Sequence, residues 1–198
     1  MRRVLMTLFG TDSKRSAGRR RQSLPVRPPI SVEILEGRTL LSASVDLKGT
    51  TLVIQGGGEN AKVTVENTGA GKDGVMDTAD DVLTVTVEGQ DPEVIDPSDG
   101  KGKKGGKVER IIFTGTGGDD CFTNNTNINS KADGGKGNDS LIGGGGEDRL
   151  DGEQGDDTVD GREGKDTLIG GADGDHFVSE NSKKEVKDFG PLEGDSLN

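Results

Sequence analysis

Residues 134–178 read GGKGNDSLI, GGGGEDRLD, GEQGDDTVD, GREGKDTLI and GGADGDHFV, five nine-residue blocks without a break. Each has an aspartate at its sixth position (Asp139, Asp148, Asp157, Asp166, Asp175) and an apolar residue at its eighth (Leu141, Leu150, Val159, Leu168, Phe177). A further copy, GTGGDDCFT, starts at Gly115 and adds Asp120 and Phe122. The period is too short for a helix pair or a propeller blade and suits a parallel β-helix. Glycines at positions one and four are expected to supply left-handed turn conformations that a Cβ resists. In the three-residue strand closing each block, only the middle side chain can point inward. Each block therefore reads as a turn, a carboxylate at the turn's edge and one apolar peg.

In the nonapeptide β-rolls that this run resembles, two blocks complete one flattened coil, so equivalent edges recur every eighteen residues. Asp139, Asp157 and Asp175 then line one edge, and Asp148 and Asp166 the other. Asp120 lies nineteen residues before Asp139 and joins the first row if a one-residue bulge intervenes. The stretch NNTNINSKAD, from Asn124, has Asn129 at its sixth place, so a weaker site is expected there.

Ordering each backbone costs about 1–2 kcal/mol, whereas burying one aliphatic side chain per block returns only about 1.5–3 kcal/mol. Stacked carboxylates along an edge also repel, so a cation is expected to supply the difference. A hard divalent ion taking six to eight oxygens suits turns that offer carboxylates and backbone carbonyls, and calcium tolerates such a cage better than magnesium. Metal binding and folding are then expected to be one event. The competing reading, an acidic glycine-rich disordered linker, follows from composition but leaves the periodicity unexplained.

Residues 115–178 resemble the RTX, or haemolysin-type, calcium-binding repeats, over roughly a third of the chain. The resemblance implies an all-β parallel β-roll, or β-helix, in which sixth-position aspartates and turn carbonyls of successive same-edge turns share calcium. The implied ligands are Asp120, Asp139, Asp148, Asp157, Asp166 and Asp175, with turn residues Gly135, Gly137, Gly144, Gly146, Gly155 and Gly164. Glu153 and Arg162 replace the usual position-two glycine, and Asp173 the position-four glycine, so more strain is expected in those turns.

The chain has 198 residues, 28% of them hydrophobic, with no Trp and no Tyr, which excludes a conventional thick core and fits a thin stacked one. Its single cysteine, Cys121, precludes an intramolecular disulfide and is expected to be a free surface thiol. Charge is segregated. Residues 1–43 carry nine Lys/Arg against three Asp/Glu, a net +6, which leaves −17 of the total −11 to the rest. This pattern marks a disordered basic leader on an acidic body. Its apolar stretch, Val4 to Phe9, is too short to span a bilayer, and its arginines lack the aromatic platform of a nucleic-acid binder. The segment SVEILEGRTLLSA, Ser31 to Ala43, resembles the LEPR-XLL motif of exported planctomycete-type proteins through Leu35, Glu36, Arg38, Leu40 and Leu41, with Gly37 in place of proline. The resemblance implies export or surface sorting.

Residues 44–114 alternate like strands, with candidates at Val45–Leu47, Thr51–Gln55, Lys62–Glu66, Val82–Glu88 and Val108–Thr114. The piece GGGENAKVTV, from Gly56, reads as an eroded nonapeptide with Ala61 in the aspartate position. Degenerate coils on the same stack and a small separate sandwich are both open readings. The loop from Lys72 to Asp81 is rich in aspartate, but it lacks EF-hand spacing and reads as solvated. The stretch Asp91–Lys107 reads as a flexible excursion. Residues 179–198, with VKDFGPLEGDSLN, resemble the closing segment of RTX arrays, in which Phe189 and Leu192 are placed to cover the open end.

No HExxH, GxSxG or GxxxxGK[ST] motif is present. Cys121 and His176 are expected about three coils apart, too far to work as nucleophile and base. No catalytic residue is expected. The sequence thus points to an exported, non-enzymatic calcium-binding protein, secreted or at the cell surface, with a structural, adhesive or matrix role and a surface or matrix component as partner. The alternative is an accessory calcium-dependent module of a secreted enzyme or toxin.

Overall fold

The computed structural model describes residues 42–70, 81–96, 107–178, 186–189 and 194–197. The leader before Ser42, with its LEPR-XLL-like motif, the loop residues 72–80 and Leu192 lie outside them. Among the described residues there is no helix. The described residues are all-β, and the repeat region forms a parallel β-solenoid.

The strands are β1 (Ala43–Lys48), β2 (Thr51–Gly56), β3 (Lys62–Gly69), β4 (Val82–Val87), β5 (Glu93–Ile95), β6 (Arg110–Thr114) and β7 (Cys121–Asn125). There follow β8 (Ser130–Lys136), β9 (Ser140–Ile142), β10 (Arg149–Gln154), β11 (Thr158–Asp160), β12 (Thr167–Ala172), β13 (His176–Val178) and β14 (Ser196–Leu197). They build two sheets, ordered β1-β2-β6-β8-β10-β12 and β14-β13-β11-β9-β7-β3-β4-β5. One coil consists of a strand in the first sheet, a turn, and a strand in the second. Register advances by whole coils, Leu150 opposite Ala132 and Leu168 in one sheet, Val159 opposite Leu141 and Phe177 in the other.

The strands ahead of the nonapeptides carry the same ladders: β2 pairs in parallel with β6, and β3 with β7. Three strands depart from the coil path. β1 lies antiparallel on β2, and β4 and β5 extend the second sheet antiparallel from β3. Antiparallel strands thus cover the start of the stack, where a parallel edge would leave a row of backbone groups unpaired. Two details correct the sequence reading. Ala43, assigned to the leader, is buried in β1. The excursion from Asp91 contains a strand, β5, whose Ile95 is fully buried.

Every eighth-position peg is fully buried, from Phe122 through Leu141, Leu150, Val159 and Leu168 to Phe177. The core tapers along the stack. β2, β3 and β6 each bury two apolar side chains (Leu52 and Ile54, Val63 and Val65, Ile111 and Phe113), whereas each nonapeptide strand buries one. Phe113 and Phe122 stack across the two sheets with centroids 4.9 Å apart. At the far end Val186 bridges to Leu168, β14 pairs with β13, and Phe189, 40% exposed, lies tilted against Phe177 at 6.5 Å.

Candidate metal centre

Along one edge the sixth-position residues form a continuous ladder. Oδ1 of each aspartate accepts the backbone N–H of its counterpart one coil earlier. Ala61 donates to Asp120 (2.6 Å), Asp120 to Asp139 (2.7 Å), Asp139 to Asp157 (2.7 Å), Asp157 to Asp175 (2.9 Å) and Asp175 to Asp195 (3.0 Å). Ala61 therefore holds the aspartate place of the eroded block. Asp195, beyond the strict repeat, continues the row.

The second carboxylate oxygen behaves differently. Oδ2 of Asp120, Asp139, Asp157 and Asp175 is buried and accepts no hydrogen bond, although each of these residues is at most 2% exposed. Leaving a buried charged acceptor unsatisfied costs at least several kcal/mol unless something pairs with it. Beside Oδ2 of Asp120, Asp139 and Asp157 lies a carbonyl oxygen of the next coil, that of Gly134, Gly152 and Gly170 respectively. A Cβ built on Gly134 would stand 2.9 Å from Gly152 O and 2.9 Å from Asp139 Cγ, with Asp139 Oδ2 nearer still. On Gly152 it would stand 2.5 Å from Gly170 O and 2.7 Å from Asp157 Cγ. Position-one glycine thus keeps open a nook between a carboxylate and the carbonyl of the next coil.

This revises the role given to the glycines. Those with positive φ stand at positions two and four, among them Gly135, Gly137, Gly155, Gly164 and Gly171, and position-one glycines are not among them. Position one requires glycine for space, positions two and four for backbone conformation. The substituted turns adopt the same conformation regardless: Thr116 (φ 87°), Glu153 (77°), Arg162 (59°) and Asp173 (81°) are all left-handed. Such a conformation costs an ordinary residue about 1–3 kcal/mol. Through it the carbonyls of Thr116, Gly118, Gly137 and Glu153 come to lie directly under Gly135, Gly137, Gly155 and Gly171 of the next coil.

Electrostatics follow burial. Desolvation raises Asp157 to about 7 against the backbone hydrogen bond from Asp139, and the Asp139, Asp175 and Asp156 charges raise it further. Burial likewise lifts Asp139 and Asp175 to about 6, and Asp120 upward. Among the described residues no three His, Cys, Asp or Glu side chains converge as a metal cluster. A cation here must draw its oxygens from main-chain carbonyls as well as carboxylates. That donor set fits calcium, which accepts mixed carboxylate and carbonyl shells of six to eight oxygens.

The other edge departs from this pattern. Asp148 N–H donates to Asp166 Oδ1 (2.9 Å), as expected. One coil earlier, however, the counterpart is Ser130, not Asn129: Ser130 donates to Asp148 Oδ1 through its N–H (2.7 Å) and its hydroxyl (2.8 Å). The extra residue between Asp120 and Asp139 falls within 124–129 and shifts the frame by one. Asp148 Oδ2 accepts the Gly144 N–H at 2.8 Å, and neither Gly144 nor Gly146 has positive φ. Gly146 O still lies under Gly164.

Sequence reasoning overlooked a second ladder at position five, running in the opposite sense. Side-chain oxygens of Asn60, Asp119, Asn138 and Asp156 accept the N–H of Asp119, Asn138, Asp156 and Gly174 one coil later. The signal was present, since Asp119, Asn138 and Asp156 recur at coil spacing. It also overlooked Asp188, whose two carboxylate oxygens accept the N–H groups of Gly170 (3.0 Å) and Gly171 (2.9 Å) and so stand in for the carbonyls of a further coil. Cys121 and His176 are both half-buried on the outer row of the second sheet. They are separated by Ser140 and Thr158, roughly 14 Å at ordinary strand spacing. His176 Nδ1 instead meets Ser196 Oγ at 2.8 Å.

Fold and edge together define a parallel β-solenoid of glycine turns and short strands with stacked buried carboxylates. Residues 129–159 and 142–177 match the family model of the RTX calcium-binding nonapeptide repeat (4 copies), so this segment is a run of RTX calcium-binding repeats. No curated protein matches the chain, and no solved structure does.

Proposed function

We propose that this chain is an exported, non-enzymatic protein whose β-roll is completed by calcium outside the cell, where it serves a structural or adhesive role at a surface or matrix. The observation carrying the reading is the row of buried Oδ2 atoms on Asp120, Asp139, Asp157 and Asp175 that accept no hydrogen bond, the first three of them sharing a nook with the next coil's carbonyl. When bound, calcium supplies the positive charge that lets these carboxylates remain ionised together. The protein's part is orientation. Oδ1 is tied to the preceding coil, which aims Oδ2 at the nook, while the left-handed turns at Thr116, Gly118, Gly137 and Glu153 hold their carbonyls beneath the following coil.

Export is supported by the basic leader with its LEPR-XLL-like segment and by the affinity range of extracellular calcium modules, about 10⁻⁴–10⁻³ M, far above cytosolic calcium. Among the described residues no helix is long and apolar enough to cross a membrane. The non-enzymatic reading is supported by the separation of Cys121 from His176 and by ladders that already account for the repeat carboxylates.

The test is circular dichroism of the full chain in chelator and in millimolar calcium. A coil-to-β transition on adding calcium, reversed by chelator, is expected. A spectrum that calcium leaves unchanged refutes the proposal.

A further inference from the structure

The nook beside Asp148 presents different chemistry from the equivalent places along the Asp139 edge. On the Asp139 edge a buried carboxylate oxygen without a hydrogen-bond partner faces the next coil's carbonyl. At Asp148 the same nook exists, with a Cβ on Gly143 falling 2.6 Å from Asp148 Oδ2 and 2.9 Å from Gly161 O. There, however, the Gly144 N–H points at Oδ2. An amide dipole with its hydrogen toward the nook repels a cation and satisfies the carboxylate in its place. The other oxygen, Oδ1, takes two donors from Ser130 rather than one.

The coil beneath is held by its own polar groups. Buried Asn124 donates through Nδ2 to Ile128 O and accepts from Thr126 N–H and Oγ1, while Ile128 N–H donates to Thr126 Oγ1. Arg162, one of the left-handed residues, reaches back past the Gly143–Gly146 turn and donates through a guanidinium nitrogen to Asn125 Oδ1 (2.8 Å). This edge therefore carries a covalently attached cation of its own. A cleft of about 650 Å³, lined by Asn125, Asn127, Gly144, Gly145 and Arg162, opens beside the turn. Solvent access is not what would keep an ion out; the donors are.

We infer that calcium skips the nook beside Asp148. The nooks beside Asp120, Asp139, Asp157 and Asp175 take the ion, whereas the nook beside Asp148 is closed by the Gly144 amide and the Ser130 donors. The inference rests on the calcium-binding reading and adds where the ions sit. Binding beside Asp148 would require the Gly143–Gly144 peptide to turn over.

Two measurements test it on the full chain. In crystals grown in calcium, anomalous difference maps should show peaks beside Asp139, Asp157 and Asp175 and none at coordination distance from Asp148 Oδ2. By calorimetry, Asp157→Asn should bind fewer calcium ions than the parent and Asp148→Asn the same number. A peak on Asp148, or an equal loss of ions in both variants, overturns the exclusion of the Asp148 nook while leaving calcium binding intact. A parent chain that binds no calcium at all overturns the proposed function and this inference with it.

Discussion

Gly152→Ala separates the need for space from the need for a special backbone. Gly152 is not among the residues with positive φ, so alanine can adopt its conformation. The added methyl would nonetheless stand 2.5 Å from Gly170 O and 2.7 Å from Asp157 Cγ, both distances inside van der Waals contact. Backbone and carboxylate must therefore give way by up to about an ångström, an overpacking cost of about 1–3 kcal/mol. The methyl also fills the nook proposed for the ion, so the calcium requirement should rise as stability falls. Gly117→Ala is the matched control. Its backbone is likewise not left-handed, and its nearest neighbours, atoms of Lys136, are 3.9 Å away. That variant is expected to be neutral or stabilised by about 0.4–1 kcal/mol through the unfolded state. Urea midpoints in calcium and calcium titrations followed by circular dichroism measure both effects. If Gly152→Ala matched the control in midpoint and in calcium response, the argument that position-one glycine guards an oxygen-lined nook would fail.

The pH dependence has a definite sign. Asp157 at about 7 and Asp139 and Asp175 at about 6 hold protons more tightly in the metal-free roll than in an unfolded chain with aspartates near 3.9. Their stabilising contribution is complete below pH ~4 and disappears as pH rises through 6 to 7. In chelator the β-signal seen by circular dichroism should accordingly be present near pH ~4 and lost as pH rises through about 6 to 7; a signal that grows over that window contradicts the burial argument. Calcium affinity should run the other way, strengthening with pH because the ligands must be deprotonated. Phe122→Ala, which removes a fully buried ring stacked on Phe113, should cost about 3–5 kcal/mol, read as a lowered urea midpoint in saturating calcium.

The block register was legible because each nonapeptide repeats one decision, an inward peg at position eight and a carboxylate at position six, and a pattern stated five times survives local substitution. The burial of Leu141, Leu150, Val159, Leu168 and Phe177 follows from it. What could not be read was anything that depends on a single copy. The extra residue within 124–129 moved the ladder position from Asn129 to Ser130, because a turn can absorb one residue without altering the strands around it. β5 is three residues flanked by Pro92 and Asp96, too short to display alternation. Asp188 and Asp195 fall outside the repeat and are recognisable only by what they touch. The direction of an amide, as at Gly144, leaves no mark on the sequence of four glycines that contains it.

Each edge aspartate has two tasks divided between its two oxygens, and an isosteric change can separate them. In Asp157→Asn the Oδ1 acceptor for the Asp139 N–H remains, so the spacing between coils is preserved. The amide group replaces the buried Oδ2 in the nook beside Gly170 O, where it can donate a hydrogen bond in place of a like-signed contact. Without metal at pH 7.5, the variant also lacks the charge whose burial raises Asp157 to about 7. Asp157→Asn should therefore keep more β-structure than the parent in chelator and be less stable than the parent in calcium, an exchange of order that no purely packing or purely hydrogen-bonding role would produce. Asp157→Ala, which removes the acceptor as well, should be the less stable of the two variants in either condition. Circular dichroism in chelator and urea titrations in calcium decide it. If Asp157→Asn were destabilised equally in both, its carboxylate would be a strut between coils and not a place held for a cation.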